Sequence, residues 1–160
     1  MEGGVEVLVT FLARLSLVLL FLPFSALDKV LNFSAATGQA ERIVSSKTLA
    51  RALILVGLFV EIVMSAGVLG GIADRFCAFV LAGYCGVTAL LWKQFWREPD
   101  FRLVGKSQGR EVFWDFLKNF AVAGGFLMIA FGPNAGGVAR FIEAPFASTH
   151  PYSTTEPGTR

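Results

Sequence analysis

Hydrophobic residues are concentrated in four long stretches that alternate with polar segments along the chain. A helix that crosses a membrane needs about 20 predominantly apolar residues, and each stretch is close to this length. Two charge-free runs, at residues 76–92 and 119–139, mark the third and fourth stretches most clearly. The pattern therefore predicts an all-α, four-helix transmembrane bundle, with spans at about residues 5–27, 49–72, 76–92 and 112–131.

Polar segments connect these predicted spans. Residues 28–47 suit a loop or an amphipathic piece at the surface, and Asp74-Arg75 predicts a tight turn between the second and third spans. A polar loop at residues 93–111 precedes the fourth span. We divide the chain into a membrane domain, residues 1–146, and a polar tail, residues 147–160, which we expect to be disordered.

Composition supports a membrane location. The chain of 160 residues is 54% hydrophobic and 16% charged, with a mean hydropathy of +0.62, whereas soluble domains carry about 25% charged residues. A net charge of +2, with no basic cluster between aromatic residues, argues against nucleic acid and leaves the lipid bilayer as the expected partner. The N-terminus lacks the positive region of a cleaved signal peptide, so the first stretch is expected to be retained.

The distribution of Lys and Arg predicts the orientation. Residues 28–51 and 93–118 contain ten of them, and the side that carries the termini contains three. Because positive residues favour the cytoplasm, we expect loops 28–48 and 93–111 to be cytoplasmic and both termini to lie outside. Tryptophans that suit a membrane interface flank the second loop, at Trp92, Trp96 and Trp114.

Two charged residues, Arg14 and Glu61, interrupt the first and second spans. A charge inside a membrane span costs about 2.5–3.5 kcal/mol on insertion scales and is usually paired or functional. Counting at 1.5 Å per residue puts both roughly 13–15 Å below the outer ends of their helices. We therefore predict an Arg14–Glu61 ion pair between the first two helices.

More polar residues fall near this depth: Tyr84 in the third span, and Lys118 and Asn119 in the fourth. Asp115 lies one turn before Lys118 and Asn119 and could pair with either. Asp28 and Lys29 close the cytoplasmic end of the first helix. The predicted layer has two interpretations: a buried polar cluster that fixes helix register, or a pocket for a small ligand, a quinone head group or a proton.

Cys77 and Cys85 lie eight residues apart in one predicted helix. This separates them by roughly 12 Å along the axis, too far for a disulfide bond within that helix. We expect both to be small core residues. Small residues at helical spacing, Gly67-x-x-x-Gly71 and the face of Ala78, Ala82 and Gly86, favour close helix packing.

Three sequence segments form a recognisable set of motifs. The first runs from Arg14 through Phe21-Leu22-Pro23-Phe24 to Asp28-Lys29, and the second joins Glu61 to Gly67 and Gly70-Gly71. The third, and most specific, is Phe113-Trp114-Asp115-Phe116-Leu117-Lys118-Asn119-Phe120 followed by Ala123-Gly124-Gly125. Together these segments resemble the DoxX family of small four-helix bacterial membrane proteins. The chain differs from many members at Lys93, which stands where they carry a His near the end of the third helix.

The resemblance implies a protein of the bacterial cytoplasmic (inner) membrane that is a subunit of a redox system linked to quinone, with other membrane or redox proteins as partners. Members of the family are often labelled oxidoreductases, but whether this chain is an enzyme stays open, and no catalytic residue is assigned. Its residues contain no metal-ligand spacing, haem ligand pair or nucleotide loop, so no cofactor is evident and a quinone would be a diffusing partner. The alternatives are a structural or assembly subunit without its own catalysis, or a carrier or channel for a small molecule.

Overall fold

A computed structural model describes residues 2–153, and within that range the chain is helical and contains no strand. Four helices are long and apolar enough to cross a membrane. These are Gly3–Leu31 (span 1), Lys47–Gly70 (span 2), Asp74–Arg97 (span 3) and Gln108–Phe131 (span 4). The predicted all-α, four-helix architecture is therefore confirmed, and the helices extend a few residues beyond most of the predicted limits.

Spans 1 and 2 are not regular α-helices throughout. Span 1 contains a wider π-helical turn at Leu20–Ser25, around Pro23. Proline has no backbone N–H to donate and its ring crowds the preceding turn, which explains why the α-helical ladder is interrupted here. Span 2 has a second π-helical turn at Val60–Met64, which includes Glu61. The two π turns contact each other across the bundle.

The turn between spans 2 and 3 lies earlier than predicted. Its backbone reverses at Gly71 and Ala73, with φ values of 70° and 47°. Asp74 and Arg75 were expected to form this turn, but they instead make the first turn of span 3 and are both buried. Glycine adopts a positive φ without steric cost, so Gly71 is a suitable C-terminal cap for span 2.

Short helices connect and follow the spans. The polar segment between spans 1 and 2 contains the helix Phe33–Glu41, which buries Thr37 and Ala40. The α-helical part of span 3 ends at Trp92, and a 3₁₀ turn at Phe95–Arg97 completes the span. After span 4, a 3₁₀ turn at Pro133–Ala135 leads into the terminal helix Gly137–Glu143.

The interior of the bundle is built from a few large side chains and many small ones. Val18, Phe21, Leu81 and Phe126 pack with buried alanines and both cysteines. Ala78 and Ala82 are buried, as the small-residue face predicted, whereas a Cβ atom added at Gly86 would meet nothing within 4 Å. Large apolar residues instead cover the outside, where many of them are exposed. This arrangement suits a protein whose outer surface contacts lipid.

Two further expectations can be compared with the fold. Cys77 and Cys85 are both buried and unbonded, as predicted. The predicted disordered tail is wrong for its first residues, because Ser148 Oγ donates to the carbonyl oxygen of Gly71 and the Tyr152 hydroxyl donates to that of Leu69. These polar side chains satisfy carbonyl groups at the end of span 2. Residues 154–160 lie outside the described part of the chain.

Candidate functional site

The carboxylate of Glu61 is the centre of a polar cluster that joins three spans. Glu61 is 1% exposed. Its Oε1 atom accepts hydrogen bonds from Lys29 Nζ at 2.6 Å, Tyr84 OH at 2.8 Å and Ser25 Oγ at 3.0 Å. Lys29 Nζ also donates to Ser25 Oγ at 2.6 Å. These four residues, Ser25, Lys29, Glu61 and Tyr84, are called the Glu61 cluster below.

Local helix geometry explains why these side chains meet. Ser25 ends the π turn of span 1, and Lys29 follows four residues later on the same helix face. Glu61 lies within the π turn of span 2, so both non-α turns flank the cluster. Such turns reorient side chains relative to a regular helix and are frequent at functional sites.

The second carboxylate oxygen of Glu61 is unsatisfied. Within residues 2–153, Oε2 is buried and has no hydrogen-bond partner. A buried acceptor without a donor costs about 1–3 kcal/mol, and more when the group is charged. An ionised carboxylate only accepts hydrogen bonds, so the group that would satisfy Oε2 must donate one.

Two cavities adjoin the cluster. The larger has a volume of about 500 Å³, has a mainly apolar lining, and extends between spans 2 and 3 and the helix Phe33–Glu41. The smaller, of about 390 Å³, is lined by Glu61 and by residues of spans 1, 3 and 4. Lys29, Tyr84 and Asn119 line both cavities. Binding pockets for small ligands are typically about 300–1,000 Å³, with a few polar groups in an apolar wall.

Span 4 contributes the far wall of the smaller cavity. Asp115 pairs with Lys93 at 3.0 Å and with Lys118 at 3.3 Å. Asn119 donates from Nδ2 to the backbone carbonyl of Asp115 at 2.9 Å. Lys118 was predicted in the buried layer, but its side chain is 72% exposed, although it lines the smaller cavity and pairs with Asp115. Asn119 is half-buried and lines the smaller cavity, so it lies nearer than Lys118 to the buried layer predicted for both residues.

The predicted Arg14–Glu61 ion pair does not form. Arg14 pairs through Nη2 with Asp74 at 2.7 Å and donates from Nη1 to the Val68 carbonyl at 2.7 Å. Val68 lies seven residues beyond Glu61, which is roughly 10 Å along a helix. The equal depth of Arg14 and Glu61 was inferred from approximate helix ends. In the structure, Glu61 pairs with Lys29 at 2.6 Å.

Arg14 and Asp74 form a second polar cluster near the chain termini. Asp74 is fully buried and also binds Thr149, through both its backbone N–H and its hydroxyl group. Thr149 Oγ1 accepts from Arg14 Nη2 at 2.8 Å. The sequence signal for this cluster was Asp74 itself, an acid beside an apolar stretch, which was interpreted as a turn residue.

Of the predicted site residues, the structure brings Glu61 and Tyr84 into direct contact and adds Lys29 to them. Asp28, predicted with Lys29 at the end of the first helix, is exposed and accepts a hydrogen bond from Asn32 Nδ2 at 2.7 Å. Ser25 was not singled out from the sequence, although its position four residues before Lys29 could have indicated it. Within residues 2–153 no group of three His, Cys, Asp or Glu side chains is arranged to hold a metal ion.

No protein-family model, curated protein or solved structure matches this chain. The resemblance to the DoxX family therefore rests on the three sequence segments described above. The geometry of the Glu61 cluster and its cavities is the basis for a functional proposal.

Proposed function

We propose that this protein is a membrane subunit of a quinone-linked redox system and that the cavities beside the Glu61 cluster bind a quinone. The observation that carries the proposal is that Lys29 and Tyr84 of the cluster line a mainly apolar cavity of about 500 Å³ and, together with Glu61, a second cavity of about 390 Å³. A quinone likewise combines an apolar tail with a polar head group that carries two oxygen atoms. The DoxX resemblance supports the same class of ligand.

The polar groups match both forms of such a head group. Lys29 Nζ has three protons to donate, and two of them are directed to Ser25 and Glu61. The third suits the carbonyl oxygen of an oxidised quinone. Glu61 Oε2, which has no donor in the described chain, suits the hydroxyl group of the reduced form. Lys29 and Glu61 would therefore orient the head group, while apolar residues such as Val60 and Leu91 contact the tail.

A quinone supplies two-electron chemistry, and this chain supplies binding and orientation. Tyr84 holds the Glu61 carboxylate in place from span 3. We propose that the electrons pass between the quinone and a partner redox protein, in the bacterial cytoplasmic membrane, with loops 28–48 and 93–111 on the cytoplasmic side. The ten basic residues of residues 28–51 and 93–118 favour this orientation.

Trp92 lines the larger cavity and provides a direct test. In a Trp96→Phe/Trp114→Phe background it is the only tryptophan, and its fluorescence should be quenched when a short-chain ubiquinone binds. Glu61→Gln replaces the free acceptor with an amide that can donate. We expect this variant to weaken binding of the reduced form about tenfold or more, because a hydrogen bond to a charged group contributes about 1.5–3 kcal/mol. Binding of the oxidised form should change little.

Lys106→Gln is the matched control, because Lys106 is exposed in the loop before span 4 and lines neither cavity. It should bind both forms like the parent protein. The proposal is wrong if ubiquinone does not quench Trp92, or if Glu61→Gln and Lys106→Gln bind both redox forms alike.

An assembly role is the second candidate, since the Glu61 cluster also ties spans 1, 2 and 3 together. It predicts that Glu61→Gln lowers the melting temperature and the yield of a stoichiometric membrane complex. It also predicts that quinone reduction by that complex is unchanged per assembled particle.

A further inference from the structure

A third cavity lies beside the start of span 3, away from the Glu61 cluster. It has a volume of about 340 Å³ and lies between the start of span 3, the terminal helix and residues 147–149. Two arginines, Arg75 and Arg140, line it together with Ser148 and Thr149. The cavity therefore has a polar and positively charged wall, unlike the apolar lining of the larger cavity described above.

Arg75 is a buried cation at this cavity. It is 2% exposed, and among residues 3–153 no carboxylate oxygen lies within 4.0 Å of its guanidinium group. Its Nη1 and Nη2 atoms donate to the carbonyl oxygens of Arg140 and Gly137, both at 3.4 Å. Its Nε atom is buried with no partner among the described residues. A guanidinium group does not lose its proton in proteins, so Arg75 stays charged.

The nearest acid is already occupied. Both carboxylate oxygens of Asp74 accept hydrogen bonds, from Arg14, Thr149 and the backbone N–H of Arg75. Among the residues that the structure describes, two buried arginines thus share one buried aspartate, which leaves one positive charge there without a counter-charge. A buried charge without a counter-charge is strongly unfavourable, so this end of the bundle favours an anion.

Arg140 adds a second cation at the same cavity. Its only carboxylate contact within the described chain is Glu143 at 3.7 Å, and both side chains are more than half exposed. Such a pair is weak, and Arg140 can therefore turn towards a ligand. Arginine forks match the paired oxygens of phosphate groups with two parallel hydrogen bonds.

From this juxtaposition we infer that Arg75 and Arg140 form a binding site for an oxyanion of phosphate chemistry. The cavity lies at the ends of the spans, which is the level of lipid head groups in a membrane protein. The phosphate can come from an anionic lipid or from solution, and the same two arginines would hold either one.

The test uses the full chain in nanodiscs of phosphatidylcholine and measures its melting temperature. One arm adds inorganic phosphate, with sodium chloride at equal ionic strength as the reference, and the other replaces part of the lipid with phosphatidylglycerol. We expect a higher melting temperature in at least one arm. A rise with phosphate identifies a soluble anion, and a rise with phosphatidylglycerol alone identifies a lipid head group.

Arg75→Gln and Arg140→Gln should each remove most of this rise. Arg102→Gln is the matched control, since Arg102 lies in the exposed loop before span 4 and should keep the full response. Arg140→Gln carries the test if Arg75→Gln does not fold, because the exposed Arg140 side chain is not part of the core. Arg75→Lys keeps the charge without the fork and should reduce the response in part.

Two results would overturn the inference. The first is that neither phosphate nor phosphatidylglycerol raises the melting temperature above the chloride reference. The second is an equal rise in the parent protein, Arg75→Gln and Arg140→Gln.

Discussion

Replacing Arg14 with leucine removes one partner of the Arg14–Asp74 ion pair and leaves the other inside the bundle. The two charged groups are 2.7 Å apart, and their side chains are 8% and 0% exposed. Removing one member of a buried pair usually costs about 3–5 kcal/mol, because the remaining charge is uncompensated. We expect a loss of this size in the free energy of unfolding for Arg14→Leu, and a similar loss for Asp74→Leu.

The double variant measures how much of each single loss comes from the interaction between Arg14 and Asp74. Because Arg14→Leu/Asp74→Leu leaves neither member of the pair behind, its loss should be smaller than the sum of the single losses. A coupling energy of about 1–3 kcal/mol is expected for residues in direct contact. Reversible unfolding in mixed micelles of dodecyl maltoside and sodium dodecyl sulfate, followed by tryptophan fluorescence, measures all the required free energies.

The matched control is the pair first predicted from the sequence. Arg14→Leu and Glu61→Leu should be additive within about 0.5 kcal/mol, because these residues share no hydrogen-bond partner. Coupling below about 0.5 kcal/mol between Arg14 and Asp74 would refute the ion pair as a source of stability. Stronger coupling between Arg14 and Glu61 than between Arg14 and Asp74 would refute the described geometry.

Two further predictions concern helix packing and the C-terminal segment. Gly67→Ala should lower the free energy of unfolding by about 1–3 kcal/mol, because the added Cβ meets Cys77 Sγ and lies 3.1 Å from the Ile72 carbonyl oxygen. Gly83→Ala is the control and should not lower it, because a Cβ at Gly83 meets nothing within 4 Å. Equal effects of the two variants in the same micelle unfolding assay would contradict this packing. Burial, with a smaller contribution from the Asp74 carboxylate, raises the pKa of Tyr152 above its ordinary value of 10.0, although Arg14 opposes the shift. Since the folded pKa is the higher one, the Tyr152 hydroxyl contributes stability below pH 10 that is lost as the pH rises through the folded pKa. In a Tyr84→Phe variant, where Tyr152 is the only tyrosine, tyrosinate absorbance should show a midpoint above pH 10, and an ordinary midpoint would show that the segment is not docked.

The buried charged residues could be identified from the sequence, but their partners could not. Glu61 was recognised as a buried charge because any ionisable residue within an apolar stretch is conspicuous. Its partner was assigned incorrectly, since Arg14 and Lys29 both lie on span 1 and the choice depends on axial position and rotation. Each residue rotates an α-helix by about 100°, so a π turn changes which face every later residue presents. Neither π turn was predicted, and both adjoin the Glu61 cluster.

The C-terminal segment was misjudged for a different reason. Residues 148–153 are polar and contain a proline, which is typical of a mobile tail. In the folded chain, however, Ser148, Thr149 and Tyr152 bind groups at the ends of spans 2 and 3. The carbonyl groups of Gly71 and Leu69 and the Asp74 carboxylate are positioned to accept these hydrogen bonds only after the spans have assembled.

The sequence by itself determined the number of spans, their approximate limits and the class of fold. These follow from local hydropathy, because each apolar stretch gains free energy in lipid independently of its neighbours. Only the tertiary structure decided which charges pair, which polar residues reach the cavities and which arginine has no counter-charge among the described residues. Those outcomes depend on helix phase, axial register and neighbouring elements, so residues far apart along the chain become partners only after the helices pack.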